Sequence, residues 1–181
     1  MLKRLAPLSL LLLVVPFAAG CQLNRTAQAA DAFVPTGYQV GQRAPDFSLL
    51  SVGEGLTVRL ANLTGKPVII NFYCGCSFCS TVAREWVKNR DKLGDATMVA
   101  VMTNHWSYAP ADVRDFRQRT GWSWPVLADM GSQTARDYNA LTCPHVFVVD
   151  GQGIIRWETK EGASDEKKII ADALAAAAHA R

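Results

Sequence analysis

Cys74, Cys76 and Cys79 fall within one short run, Cys74-Gly75-Cys76-Ser77-Phe78-Cys79. The run follows the apolar stretch Val68-Ile69-Ile70-Asn71-Phe72-Tyr73 and leads into a segment with helical periodicity. Thiols placed where a strand gives way to a helix sit beside the orphan N–H groups and the positive end of that helix, which favours the reactive thiolate. Two cysteines at the spacing Cys76-x-x-Cys79 lie on one helical turn, close enough to close into a disulfide. The chemistry this pattern offers is thiol–disulfide exchange, with Cys76 and Cys79 as the catalytic pair.

Elements of alternating type must hold that pair. Thr57 to Leu60 reads as a short strand, and Val68 to Tyr73 as a fully buried one by its continuous apolar character. From Phe78 to Lys92 the positions Cys79, Val82, Ala83, Trp86 and Val87 recur at helical intervals, with Gly94 ending the helix. Thr97 to Met102 is a further buried strand, Pro110 to Thr120 a helix opened by its proline, Trp124 to Leu127 a short strand and Ser132 to Asn139 a short helix. Val146 to Val149 and Ile154 to Trp157 form a hairpin about Asp150-Gly151-Gln152-Gly153, and Ser164 caps a last helix through Ala178. Strands alternating with helices predict an α/β fold, a central mixed β-sheet with helices on both faces. Trp86 and Phe78 read as packing residues, and His179 carries no functional signal.

The N-terminal residues read differently. Lys3 and Arg4 precede an apolar run from Leu5 to Val15 that is too short to span a bilayer, and Ala18-Ala19-Gly20 offers small residues for a signal protease. Cys21 follows directly, so Ala18-Ala19-Gly20-Cys21 resembles a bacterial lipobox, which implies cleavage after residue 20 and lipidation of Cys21. The expected organisation is a lipoprotein signal over residues 1–20, a flexible tether over 21–37 and one domain over 38–181. The protein is then exported to the cell envelope, on its periplasmic side, and bound to a membrane by its lipid. Disulfides persist in that compartment. The chain is 49% hydrophobic and 19% charged, enough for a real core. Its formal charge is +3, of which Lys3 and Arg4 supply two, so the domain has no basic field for nucleic acid.

Three separated motifs carry a family resemblance. Gly41-Gln42-Arg43-Ala44-Pro45-Asp46-Phe47-Ser48-Leu49 resembles the opening of the alkyl hydroperoxide reductase/thiol-specific antioxidant (redoxin) family and its exported thiol–disulfide oxidoreductase relatives. Gly65 to Tyr73 is similar to their active-site strand, and Leu141-Thr142-Cys143-Pro144-His145 to the segment with the cis-proline of the thioredoxin fold. The resemblance implies that Cys76 attacks, that Cys79 resolves, and that Pro144, with Cys143 beside it, contacts the substrate chain. It also implies no cofactor, a disulfide-containing protein or a peroxide as substrate, and a redox partner protein that supplies electrons. The departures are Gly75, where an aromatic residue is usual, the accessory thiol Cys74, and Cys143 before the proline, where Thr or Val is usual.

Two other readings use the same thiols. A peroxidase reading makes Cys79 the peroxidatic cysteine; Cys76 and Phe72 then occupy positions where peroxiredoxins carry an activating Thr and Pro, and Arg84 or Arg136 is left to stabilise the thiolate. A metal reading gathers Cys74, Cys76, Cys79, Cys143 and His145 about Cu(I) or Zn(II). A bond between Cys74 and Cys76 is sterically unfavourable, and one between Cys74 and Cys143 requires their Cα atoms to come within about 7 Å. His105-Trp106-Ser107-Tyr108, after the third strand, is either a partner-binding loop or a surface loop.

Overall fold

The computed structural model describes residues 34–103, 109–160 and 162–180. The signal segment, Cys21, most of the tether and the loop His105 to Tyr108 lie outside the described residues. In chain order the elements are β1 (Ser48–Ser51), β2 (Thr57–Arg59), β3 (Val68–Tyr73), α1 (Ser77–Lys88), β4 (Thr97–Met102), α2 (Pro110–Thr120), β5 (Val126–Ala128), α3 (Gln133–Asp137), β6 (His145–Val149), β7 (Ile155–Glu158) and α4 (Glu166–His179). One seven-stranded sheet has the order β2-β1-β5-β4-β3-β6-β7. β3 lies well inside it, parallel to β4 and antiparallel to β6. The mixed sheet expected from the sequence is present, with strand β1 added ahead of β2.

Alternation along β3 divides the core. Ile69 and Tyr73 point into a cluster that takes Val82, Ala83 and Trp86 from α1, Val113 and Phe116 from α2, and Ile169, Ile170 and Ala173 from α4. Val68, Ile70 and Phe72 point to the other face, where Phe47, Leu60, Ala135 and Tyr138 cover them. All six residues of β3 are buried, as expected of an inner strand covered on both faces.

Local signals explain the element ends. Pro110 opens α2, and Gly121, at φ 77°, closes it in the left-handed conformation. The turn between β6 and β7 is held by buried Asp150, whose Oδ1 accepts the N–H groups of Gln152 and Ile154, both at 2.9 Å. Two sequence expectations shift. The cap of α4 is Asp165 rather than Ser164, its carboxylate accepting from Lys167 N and Lys168 N at 3.0 Å. The body also begins before Tyr38. Gly37 donates to Arg43 O and Arg43 to Pro35 O, each at 2.9 Å, and Arg43 in turn bridges Ile154. Paired backbone fixes residues 35–37 against the domain, so they are not tether.

Candidate functional site

The site grows out of the register between β3 and β6. Their antiparallel ladder pairs Val68 with Val149 and runs to Phe72 with His145. Continued two residues further, the same register sets Cys74 opposite Cys143. Opposed residues in such a ladder lie about 4.5–5.5 Å apart at Cα, and these two lie at 5.9 Å, joined by a disulfide. Cys143, expected to contact substrate, therefore has its sulfur committed to Cys74, and the accessory thiol Cys74 is not free. The bond between Cys143 and Pro144 is cis, as the resemblance implied.

Gly75 reverses the chain between the two pairs. Its φ of 80° lies where a side chain is strained, which accounts for glycine where relatives of the fold carry an aromatic residue. The turn delivers Cys76 to the cap position of α1. There its Sγ accepts the N–H of Cys79 at 3.3 Å, the place where a helix presents its unpaired donors. The Sγ atoms of Cys76 and Cys79 lie 3.2 Å apart, both free thiols.

The two thiols differ in access. Cys76 is half-buried, while Cys79 is 1% exposed in the cluster under α1. Burial is the largest cause that pushes the Cys79 thiol up to about 12, and the neighbouring Cys76 adds to it. The expectation that the helix end would favour a thiolate thus fails for Cys79, because removal from water outweighs the helix donors at the inner sulfur. This asymmetry fits an outer attacking thiol and an inner resolving one.

Beneath the pair lies a polar network that sequence reasoning missed. Asn71, set among the apolar residues of β3, is fully buried, and its Oδ1 accepts from Trp86 Nε1 at 2.7 Å and from the Tyr73 hydroxyl at 3.3 Å. Asn71 Nδ2 donates to Val99 O at 3.3 Å. Trp86 on α1 is therefore more than packing: it pins the helix that carries Cys79 to the strand that leads to Cys74. The signal was present as a lone Asn in an otherwise apolar run. Tyr73 is also held well above the usual phenol range, chiefly by burial and then by the adjacent Cys79.

Other expected residues lie elsewhere. Arg84 bonds Thr81 Oγ1 at 3.1 Å and Arg136 bonds Gln133 Oε1 at 3.0 Å, so each serves its own exposed helix surface rather than a thiolate. His145 stacks on Phe147 with ring centroids 4.7 Å apart, and its Nε2 lies 3.4 Å from Glu158 Oε2. The group able to hold a metal among the described residues is instead four sulfurs, those of Cys74, Cys76, Cys79 and Cys143, within 4.8 Å of one another. The geometry fits a soft ion only when all four are thiolates; with Cys74 joined to Cys143, two of the four are unavailable as ligands. Phe78 is half-buried against the same cluster, as expected of rim packing.

The AhpC/TSA family model matches residues 40–158. The thioredoxin-like protein YneN of Bacillus subtilis is 30% identical, over 86% of this chain and 89% of that protein. The thiol-disulfide oxidoreductase ResA of Geobacillus thermodenitrificans is 28% identical, over 67% of this chain and 69% of its own length. Among solved structures, peroxidoxin BcpB of Mycobacterium tuberculosis superposes with a TM-score of 0.67 at 19% identity, covering 79% of this chain and 98% of that one.

Proposed function

The chain belongs to the AhpC/TSA family, and we propose that within it this protein is a thiol–disulfide oxidoreductase of the cell envelope, acting through Cys76 and Cys79. One observation carries the reading: a half-exposed sulfur, capping a helix, stands 3.2 Å from a buried one beside a cis-proline. The Cys76 thiolate attacks a substrate disulfide, forming a mixed disulfide and releasing one substrate thiolate. Cys79 then gives up its proton and attacks Cys76, releasing the second substrate thiolate and closing the Cys76–Cys79 disulfide. Two electrons pass to substrate, and a partner redox protein returns them. Pro144, half-buried immediately ahead of β6, is in this reading the residue that contacts the substrate chain.

Two facts weigh against Cys79 as a peroxidatic cysteine: its burial, and a thiol pushed up to about 12. A peroxidase needs that sulfur as an accessible thiolate. Among the described residues no helix is long and apolar enough to cross a membrane. In this reading a lipid on Cys21 supplies the membrane attachment. A Cys21→Ser variant that still sediments with membranes would remove the anchor.

The test of the exchange reading is trapping. A Cys79→Ser chain exposed to disulfide-bearing envelope proteins should hold partners as mixed disulfides on Cys76, mapped by mass spectrometry. In a chain that also carries Cys74→Ser and Cys143→Ser, absence of that adduct on Cys76 overturns the assignment.

A further inference from the structure

Of the four sulfurs gathered within 4.8 Å, two are joined and two are free. Exchange by Cys76 and Cys79 has no need of the other pair. A cross-link meant only to staple β3 to β6 could sit at many points along that ladder, yet this one sits within reach of the attacking thiol. We propose that Cys74 and Cys143 form a second redox couple, which trades electrons with the Cys76–Cys79 couple inside the chain, so that the site holds two disulfide equivalents. This rests on the reading that Cys76 is the exchanging thiol.

The steps balance within the molecule. The Cys76 thiolate attacks the Cys143 sulfur; the Cys76–Cys143 bond forms, the Cys74–Cys143 bond breaks, and Cys74 leaves as a thiolate. Attack on Cys143 is favoured over attack on Cys74, because a disulfide between residues 74 and 76 would have to close across a single residue. Cys79 then loses its proton and attacks Cys76. The Cys76–Cys79 bond forms and Cys143 leaves as a thiolate. In sum the Cys76–Cys79 dithiol loses two electrons and two protons, and Cys74 and Cys143 gain them. Run in reverse, a reduced Cys74–Cys143 pair restores the Cys76–Cys79 dithiol after one substrate has been turned over. A second substrate disulfide is then reduced before any partner is needed.

Blocking the second step exposes the first. In the full chain carrying Cys79→Ser, non-reducing peptide maps after acid quenching should contain a Cys76–Cys143 bridge, with free thiol shifted from Cys76 to Cys74. Recovery of Cys74–Cys143 as the sole bridge, with Cys76 wholly free, overturns the relay. Oxidised glutathione added to the same variant separates the two readings. An adduct on Cys76 sustains exchange whatever the map shows, while the absence of both adduct and internal bridge overturns both.

A second measurement does not depend on that variant. The fully reduced chain without substitution, given excess oxidised glutathione and no reductase, should convert both pairs to disulfides by mapping. The Cys74→Ser/Cys143→Ser variant should deliver half as many electrons, and Cys76→Ser none. Oxidation confined to Cys76 and Cys79 in the unsubstituted chain overturns the relay. So does a Cys76→Ser chain that still oxidises Cys74 and Cys143, since the second pair would then react with substrate directly.

Discussion

At the scale of single residues, what separates Cys76 from Cys79 is water. Both lie at one helix end with sulfurs 3.2 Å apart, but one is half-buried and the other 1% exposed. In the reduced native chain at neutral pH, iodoacetamide should therefore modify Cys76 at least about tenfold faster than Cys79, a gap that closes in denaturant. Comparable native rates, read by mass spectrometry, would contradict the division into an attacking and a resolving thiol. The raised thiol also links folding to pH. Its folded value, about 12, lies above the ordinary cysteine range that applies once the chain unfolds. As pH rises the unfolded chain loses this proton first. The stabilisation is whole below about pH 8, then falls steadily until the folded thiol itself titrates. The urea midpoint of the reduced chain should thus drop between about pH 9 and 11 more steeply than that of Cys79→Ala; parallel slopes would show that Cys79 is not the cause.

At the scale of elements, the site is a junction of three: the end of β3, the start of α1 and the approach to β6. Strand β3 and helix α1 are locked together by Asn71, which accepts from Trp86 and Tyr73 inside the core. Replacing Asn71 by Ala leaves the Trp86 donor buried without its partner and should cost about 1–3 kcal/mol. It should also loosen the position of Cys79, so that the mixed disulfide on Cys76 resolves more slowly. Urea unfolding and the lifetime of the Cys76 adduct measure the two effects separately. The boundaries of β3, β4 and α2 were legible because burial on both faces leaves a nearly continuous apolar run, and because proline and glycine mark the ends of α2. β1 was not legible as a strand: Ser48–Ser51 is short and half-exposed, and pairing with β5 makes it a strand. The α4 cap was off by one residue, since Ser164 and Asp165 are both good caps and only the backbone at Asp165 points its carboxylate at the helix N–H groups.

At the scale of the whole molecule, the Cys74–Cys143 disulfide spans 69 residues of sequence, enclosing α1, β4, α2, β5 and α3. Closing a loop of that length removes unfolded-chain entropy worth about 4 kcal/mol. The Cys74→Ser/Cys143→Ser variant should lose on the order of 3–4 kcal/mol in urea unfolding while keeping the fold, because the two core clusters do not depend on the bridge. A loss well under about 1 kcal/mol would mean that the joined ends already lie close in the unfolded chain.

The sequence by itself determined the chemistry and the scaffold. Paired cysteines after a buried strand, a helix behind them and Cys143-Pro144 ahead of a hairpin pointed to the fold and to the two sulfurs that come together, because spacing along one chain sets what one helical turn can bring together. Which other sulfurs join them was decided only by tertiary structure. Whether residue 74 meets residue 143 depends on how β3 and β6 align, and a shift of a single residue in that ladder would turn the two side chains away from each other. Burial of Cys79 has the same origin: the water is excluded by α2, α4 and the sheet, elements far from the cysteine motif in sequence.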